Sequence, residues 1–121
     1  MEAGRIPDAI AHYRAAVKSE PERVEAVNNL AWLLATASGA SPAQYEEALR
    51  YALRAVELLK SRPASALDTL AAAYAANGQF GEAIQTAEQA LRQAQADGES
   101  GLAGQIARRL ATYRLNLPWR E

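Results

Sequence analysis

Apolar residues return along the chain at spacings of three and four, the period of an α-helix. Three segments carry the same version of that pattern and align without gaps: Gly4-Arg5-Ile6-Pro7-Asp8-Ala9-Ile10, Ala43-Gln44-Tyr45-Glu46-Glu47-Ala48-Leu49 and Gly78-Gln79-Phe80-Gly81-Glu82-Ala83-Ile84. Each continues to a further alanine, at Ala16, Ala55 and Ala90, with Tyr13, Ala52 and Ala87 between. A second stripe precedes two of the segments, as Val27, Leu30, Ala31 and Leu34 and again as Leu67, Leu70, Ala71 and Tyr74. The repeating unit is therefore helix A, a short turn and helix B. From Tyr74 to Ala83 is 9 residues and from Leu34 to Ala48 is 14, so the first complete unit carries 14 − 9 = 5 extra residues in its A–B turn. They fall in Ala35 to Pro42, where Ser38, Gly39, Ser41 and Pro42 break the helix.

The pattern predicts six helices, at about 7–19, 22–36, 42–61, 64–77, 80–96 and 99–116. Ser41 with Gln44 reads as a capping box with Pro42 at the first helical position, and Pro63 is expected to open the fourth helix in the same way. Gly78 after Asn77 marks a helix end where a left-handed residue is cheap only for glycine. Gly98, Gly101 and Gly104 mark a loose turn before the last helix. That helix carries Leu102, Ile106, Leu110, Tyr113 and Leu117 as one stripe, with Gln105, Arg108, Arg109, Arg114 and Asn116 on its other faces. One apolar stripe and one polar face suit a terminal cap.

The unit Leu67-x2-Leu70-Ala71-x2-Tyr74-x3-Gly78-x-Phe80-x2-Ala83-x3-Ala87-x2-Ala90 resembles the tetratricopeptide repeat (TPR), a helix–turn–helix of 34 residues. The resemblance implies an all-α fold, an antiparallel helix-hairpin solenoid within one domain over 1–121. Residues 4–21 would be a half repeat ending at Pro21, 24–63 a repeat with the inserted turn, 64–97 a full repeat and 99–117 a capping helix. The chain departs from the family pattern at Leu67, where Trp is common, at Ala87, where a bulky residue is common, and at Gln95, where proline is common.

In this family the A helices line a concave face on which peptide ligands usually lie. The resemblance places Glu25, Asn28, Asn29, Trp32 and Thr36 of the second helix there, and Ser65, Asp68, Thr69, Ala72 and Ala76 of the fourth. Trp32 lies off the Val27–Leu30–Leu34 stripe and is expected to project into the groove as an anchor, the alternative being that it packs on a neighbouring helix or the inserted loop. Asn29 can donate to and accept from a peptide backbone, or simply be solvated. Some TPR proteins grip a C-terminal carboxylate with basic groove residues. Asn29 sits at one such position, but the two that should be basic on the next A helix are Ser65 and Thr69, so no carboxylate clamp is expected.

Composition agrees with the helical reading. Of 121 residues, 29 are alanine and 14 leucine, whereas Val, Ile and Thr together number 12. The chain length suits one domain. The net charge of −1 offers no basic surface for nucleic acid or an anionic membrane. No apolar run approaches a membrane span and no signal peptide is visible, so the expected location is cytoplasmic. Ala- and Arg-rich, Lys-poor usage points to a bacterial protein.

There is no cysteine, no Gly-x-Ser-x-Gly elbow and no phosphate loop, and the one histidine, His12, reads as solvated. No catalytic residue, metal or cofactor is therefore expected. Glu46, Glu47 and Arg50, like Glu88 and Arg92, read as solvated charge sets within a helix, and Arg108, Arg109, Arg114 and Arg120 as a solvated basic end.

The expected function is a non-catalytic scaffold that binds a protein or peptide segment in the groove. A second expectation comes from the first helix, a B helix with no A helix before it. Ile6, Ile10, Tyr13 and Val17 would pack only partly on the second helix, leaving a face that a longer array or a second copy in a homodimer would cover.

Overall fold

A computed structural model describes residues 5–121, with side chains from Pro7 onward, so the Ile6 side chain lies outside the described residues. Six helices follow one another: α1 Arg5–Ser19, α2 Val24–Thr36, α3 Pro42–Leu58, α4 Ala64–Ala76, α5 Phe80–Ala96 and α6 Ser100–Arg114. No strand occurs among the described residues. Each helix packs on its successor, and α2 also packs on α4 and α4 on α6. Among the described helices, α1 brings its backbone close to α2 alone and reaches α3 through a side-chain ion pair.

The turn chemistry explains where the helices begin and end. Ser41 Oγ accepts from the Gln44 N–H at 3.2 Å, and Gln44 Oε1 accepts from the Ser41 N–H at 2.9 Å, completing the capping box. Pro63, by contrast, is the N-cap of α4 and not its first helical residue. Its ring also disfavours helical geometry at the residue before it. Arg62 lies outside the right-handed helical region, at φ 50°, and α3 stops at Leu58, short of the expected 61.

Three helices end on one device. Gly78 (φ 76°), Gly98 (φ 72°) and Asn116 (φ 58°) are left-handed. The following N–H then reaches back across the last turn: Gln79 to the Tyr74 carbonyl at 2.9 Å, Glu99 to Ala94 at 2.8 Å and Leu117 to Thr112 at 3.3 Å. The third instance corrects the sequence reading. The chain reverses at Asn116, so Leu117 leaves the α6 stripe and is exposed.

The core is largely alanine. Ala26, Ala31, Ala35, Ala48, Ala52 and Ala55 are buried between α2 and α3, joined by Val27, Leu30 and Leu34. Ala71, Ala75, Ala83 and Ala87 form a second centre with Leu110 and Tyr113 of α6. Ala64, Leu67, Ala90, Ala94, Ala103 and Ile106 form a third. The inserted turn is tied down at both ends. Tyr45 Oη donates to the Ala37 carbonyl at 2.8 Å, and Asn77 Nδ2 donates to the Tyr45 carbonyl at 2.7 Å.

A Cβ at Gly78 would meet nothing within 4 Å, so a substitution there carries backbone strain without a clash. Gly78→Val should destabilise the chain by about 1–2 kcal/mol. Urea unfolding should show this as a lower midpoint at an unchanged slope.

Candidate functional site

The cleft between α2, α4 and α6 is lined by Asn28, Asn29, Trp32, Ser65, Asp68, Thr69, Leu102, Gln105, Arg109 and Glu121, around about 240 Å³. Six of the expected groove residues therefore share one cleft. Trp32 is half-buried at its wall, and Asn29 and Ser65 are exposed. Glu25 is exposed outside the cleft lining, and Ala76 is likewise not among the lining residues.

Two expectations need correction. Ala72 is 1% exposed within the core, because this position of α4 faces its neighbours and not a groove. Thr36 is also 1% exposed, and its hydroxyl donates to the Trp32 carbonyl one turn back at 2.8 Å. Of the proposed self-association residues, Val17 is buried in the core and unavailable, while Ile10 and Tyr13 are half-buried. Ile10 lines a second, larger cleft of about 660 Å³ with Pro7, Ala11, Arg14 and the inserted turn.

The floor of the first cleft is ionic. Asp68 and Thr69 are buried, with the Thr69 hydroxyl spent on the Ser65 carbonyl at 3.1 Å. Arg109 Nη1 donates to Asp68 Oδ2 at 2.5 Å, and both side chains are nearly enclosed. The Arg109 guanidinium also lies over the Trp32 ring at 4.6 Å and the Trp119 ring at 5.5 Å. Arg109 is thus not part of a solvated cap. It places a cation in the groove, where the pattern on α4 had offered none, and Asp68 neutralises it. Burial pushes the Asp68 carboxyl up to about 6 against the pull of Arg109. Burial raises the Tyr113 hydroxyl as well.

Residues 115–121 contribute a feature that helical periodicity missed. After Asn116 the chain runs back across the molecule. Trp119 packs on the cluster shared by α4, α5 and α6. Arg120 Nη1 donates to the Ala35 carbonyl at 3.0 Å, and its guanidinium lies over the Tyr45 ring at 4.8 Å. The Glu121 N–H donates to the Thr36 carbonyl at 3.1 Å. The available signal was Asn116 followed by Pro118, a helix stop before a Trp-Arg pair.

The charge sets read as intrahelical also reach across helices. Arg14 of α1 forms a two-pronged pair with Glu47 of α3, its Nη2 donating to Oε1 at 2.8 Å. Arg114 Nη2 donates to Glu88 of α5 at 3.3 Å. Arg108 and His12 are exposed, as expected.

Among the described residues, no three His, Cys, Asp or Glu side chains gather as a metal site would require, and no helix is long and apolar enough to cross a membrane. No protein-family model matches the chain, and no curated protein matches it.

The Asp68 carboxyl yields a pH prediction. The fold favours its protonated form, so its stabilisation is complete below about pH 4, the range of an unfolded aspartate, and is lost as pH rises to about 6. Asp68→Asn has no proton to lose. Its melting temperature relative to wild type should climb by roughly 9 °C between pH 4 and pH 6.5 and then level off, as followed by circular dichroism.

Proposed function

We propose that this chain is a non-catalytic, TPR-type binding module that receives a peptide or protein segment in the cleft between α2, α4 and α6. The observation that carries the reading is that one cleft gathers Asn28, Asn29, Trp32, Ser65, Asp68 and Thr69. Those residues come from two different helices and were singled out as ligand-facing by the repeat register. The packing order supports the repeat reading, since α2 lies on α3, α4 on α5, and α2 also on α4. The chemistry of the wall suits an extended peptide. Trp32 offers a half-buried aromatic face, and Asn28 and Asn29 offer amides for a backbone. Nothing in this reading calls on a cofactor, a metal or a nucleic acid.

A second reading, self-association, draws on α1, whose backbone lies close to α2 alone and which leaves Ile10 at the wall of the larger cleft. Light scattering after size exclusion, over a concentration series, separates the two. A dimer that Ile10→Glu dissociates without loss of helicity would favour self-association, and a monomer throughout would favour the binding module.

The binding reading is tested by selecting peptides from a random library on the full chain. Trp32→Ala should weaken a selected peptide by at least ~2 kcal/mol, about 30-fold in Kd, in a variant that stays helical. An unchanged Kd removes Trp32 from the site. A peptide ending in Glu-Glu-Val-Asp should show no micromolar affinity, because Arg109 is already neutralised by Asp68.

A further inference from the structure

The segment after α6 is held to the molecule as a ligand is held. Leu115 is 72% exposed and Leu117 52%, so the stretch leaving the helix buries little. Successive residues then engage separate sites. Trp119 packs against the cluster that α4 and α5 alanines form with Leu110 and Tyr113, beside Arg109. Arg120 takes the Ala35 carbonyl and the Tyr45 ring, and the Glu121 backbone takes the Thr36 carbonyl.

We propose that residues 118–121 are a built-in occupant of this face. We propose further that the face accepts from a partner an extended peptide carrying an aromatic residue followed directly by arginine, which displaces them. This rests on the peptide-binding reading and names its ligand class. The arginine subsite is the selective half. α2 ends at Thr36 with Ala37 extended, so the carbonyls of its last turn lack helical partners and carry the negative end of the helix dipole. A guanidinium meets such carbonyls with planar donors and stacks on an aromatic face at the same time. The Tyr45 ring is already fixed for that purpose by its hydroxyl bond to Ala37.

The aromatic subsite is imperfectly filled by Trp119. Its Nε1 is buried without a hydrogen-bond partner, and so are Arg109 Nε, Tyr113 Oη and the second Asp68 oxygen. A segment anchored through carbonyls and cation–π contacts, with an exposed hinge before it, is open to exchange with a competing chain.

The test uses the full chain and a fluorescently labelled synthetic peptide copying residues 115–121. Wild type, Arg120→Ala and the double variant Trp119→Ala/Arg120→Ala are titrated with it, and helicity is followed by circular dichroism. The peptide is expected to bind the double variant at least tenfold more tightly than wild type, and adding Tyr45→Ala should abolish that gain. Equal affinity for wild type and a fully helical double variant overturns the proposal. If the double variant loses helicity, Arg120→Ala, which leaves Trp119 in place, carries the comparison. The expected gain is then at least threefold, and equal affinity again overturns it.

In wild type, saturating peptide should accelerate amide exchange at Glu121, whose N–H is otherwise held by Thr36, as measured by NMR. Unchanged exchange at saturation counts against displacement and overturns the proposal. A library peptide that requires Trp32 yet leaves Glu121 exchange untouched would sink this proposal and leave the binding module standing. If the copied peptide displaces the segment but no Trp32-dependent binder exists, the α2–α4 groove reading fails and the arginine subsite remains.

Discussion

Close approach of helices across alanine is the constraint on which the rest of this structure depends. A methyl group buries little area, so an alanine interface gains less from removing apolar surface than a leucine one. What it gains is proximity, with backbones near enough for dense packing between them. Ala48, Ala52 and Ala55 place α3 against α2, and Ala71, Ala75, Ala83 and Ala87 place α4 against α5. The few large buried side chains, Leu30, Leu34, Ile106 and Tyr113 among them, fill the spaces that the alanine stripes leave. A core of this kind has little room for enlargement, because added methylenes in a packed interior force off-rotamer side chains and backbone shifts.

Where alanine brings helices together without filling the interface, a polar cluster takes over. Arg109 of α6 reaches Asp68 of α4 and lies over Trp32 of α2 and over Trp119. One guanidinium thus joins three helices and the returning segment. Burial of such a pair offsets much of its Coulomb attraction, which makes it a weak source of stability but a demanding one in geometry. It also sets the character of the cleft, whose floor is an internally neutralised ion pair beneath an aromatic wall.

The returning segment and α2 complete each other. The last turn of α2 has carbonyls to satisfy, and the inserted turn that follows provides no capping residue for them. Arg120 and the Glu121 backbone supply the missing donors from 85 residues away in sequence, counted from Ala35 to Arg120. The insertion in the first unit and the segment after α6 are therefore linked. The turn positions Tyr45 and frees the α2 carbonyls, and the segment uses both.

The sequence by itself determined the six helices, the alanine faces and most of the helix stops, because each rests on residues close together in the chain. The 3.6-residue period selects a buried face. Ser41 with Gln44 caps locally, and Gly78 turns left-handed whatever its distant neighbours are. Six residues that line the candidate cleft were expected there through the resemblance to a repeat family, which assigns one side of α2 and α4 to a groove. Tertiary structure alone decided the rest. Thr36 and Ala72 have groove-facing registers, yet each is enclosed by what packs around it. Arg109 and Arg120 look like ordinary surface arginines in a helix period and in a tail. Their partners, Asp68 at a separation of 41 residues and Ala35 at 85, are brought to them only by the fold. Local periodicity records which face of a helix is apolar, and it holds no record of which distant charge or carbonyl will be placed opposite the other face.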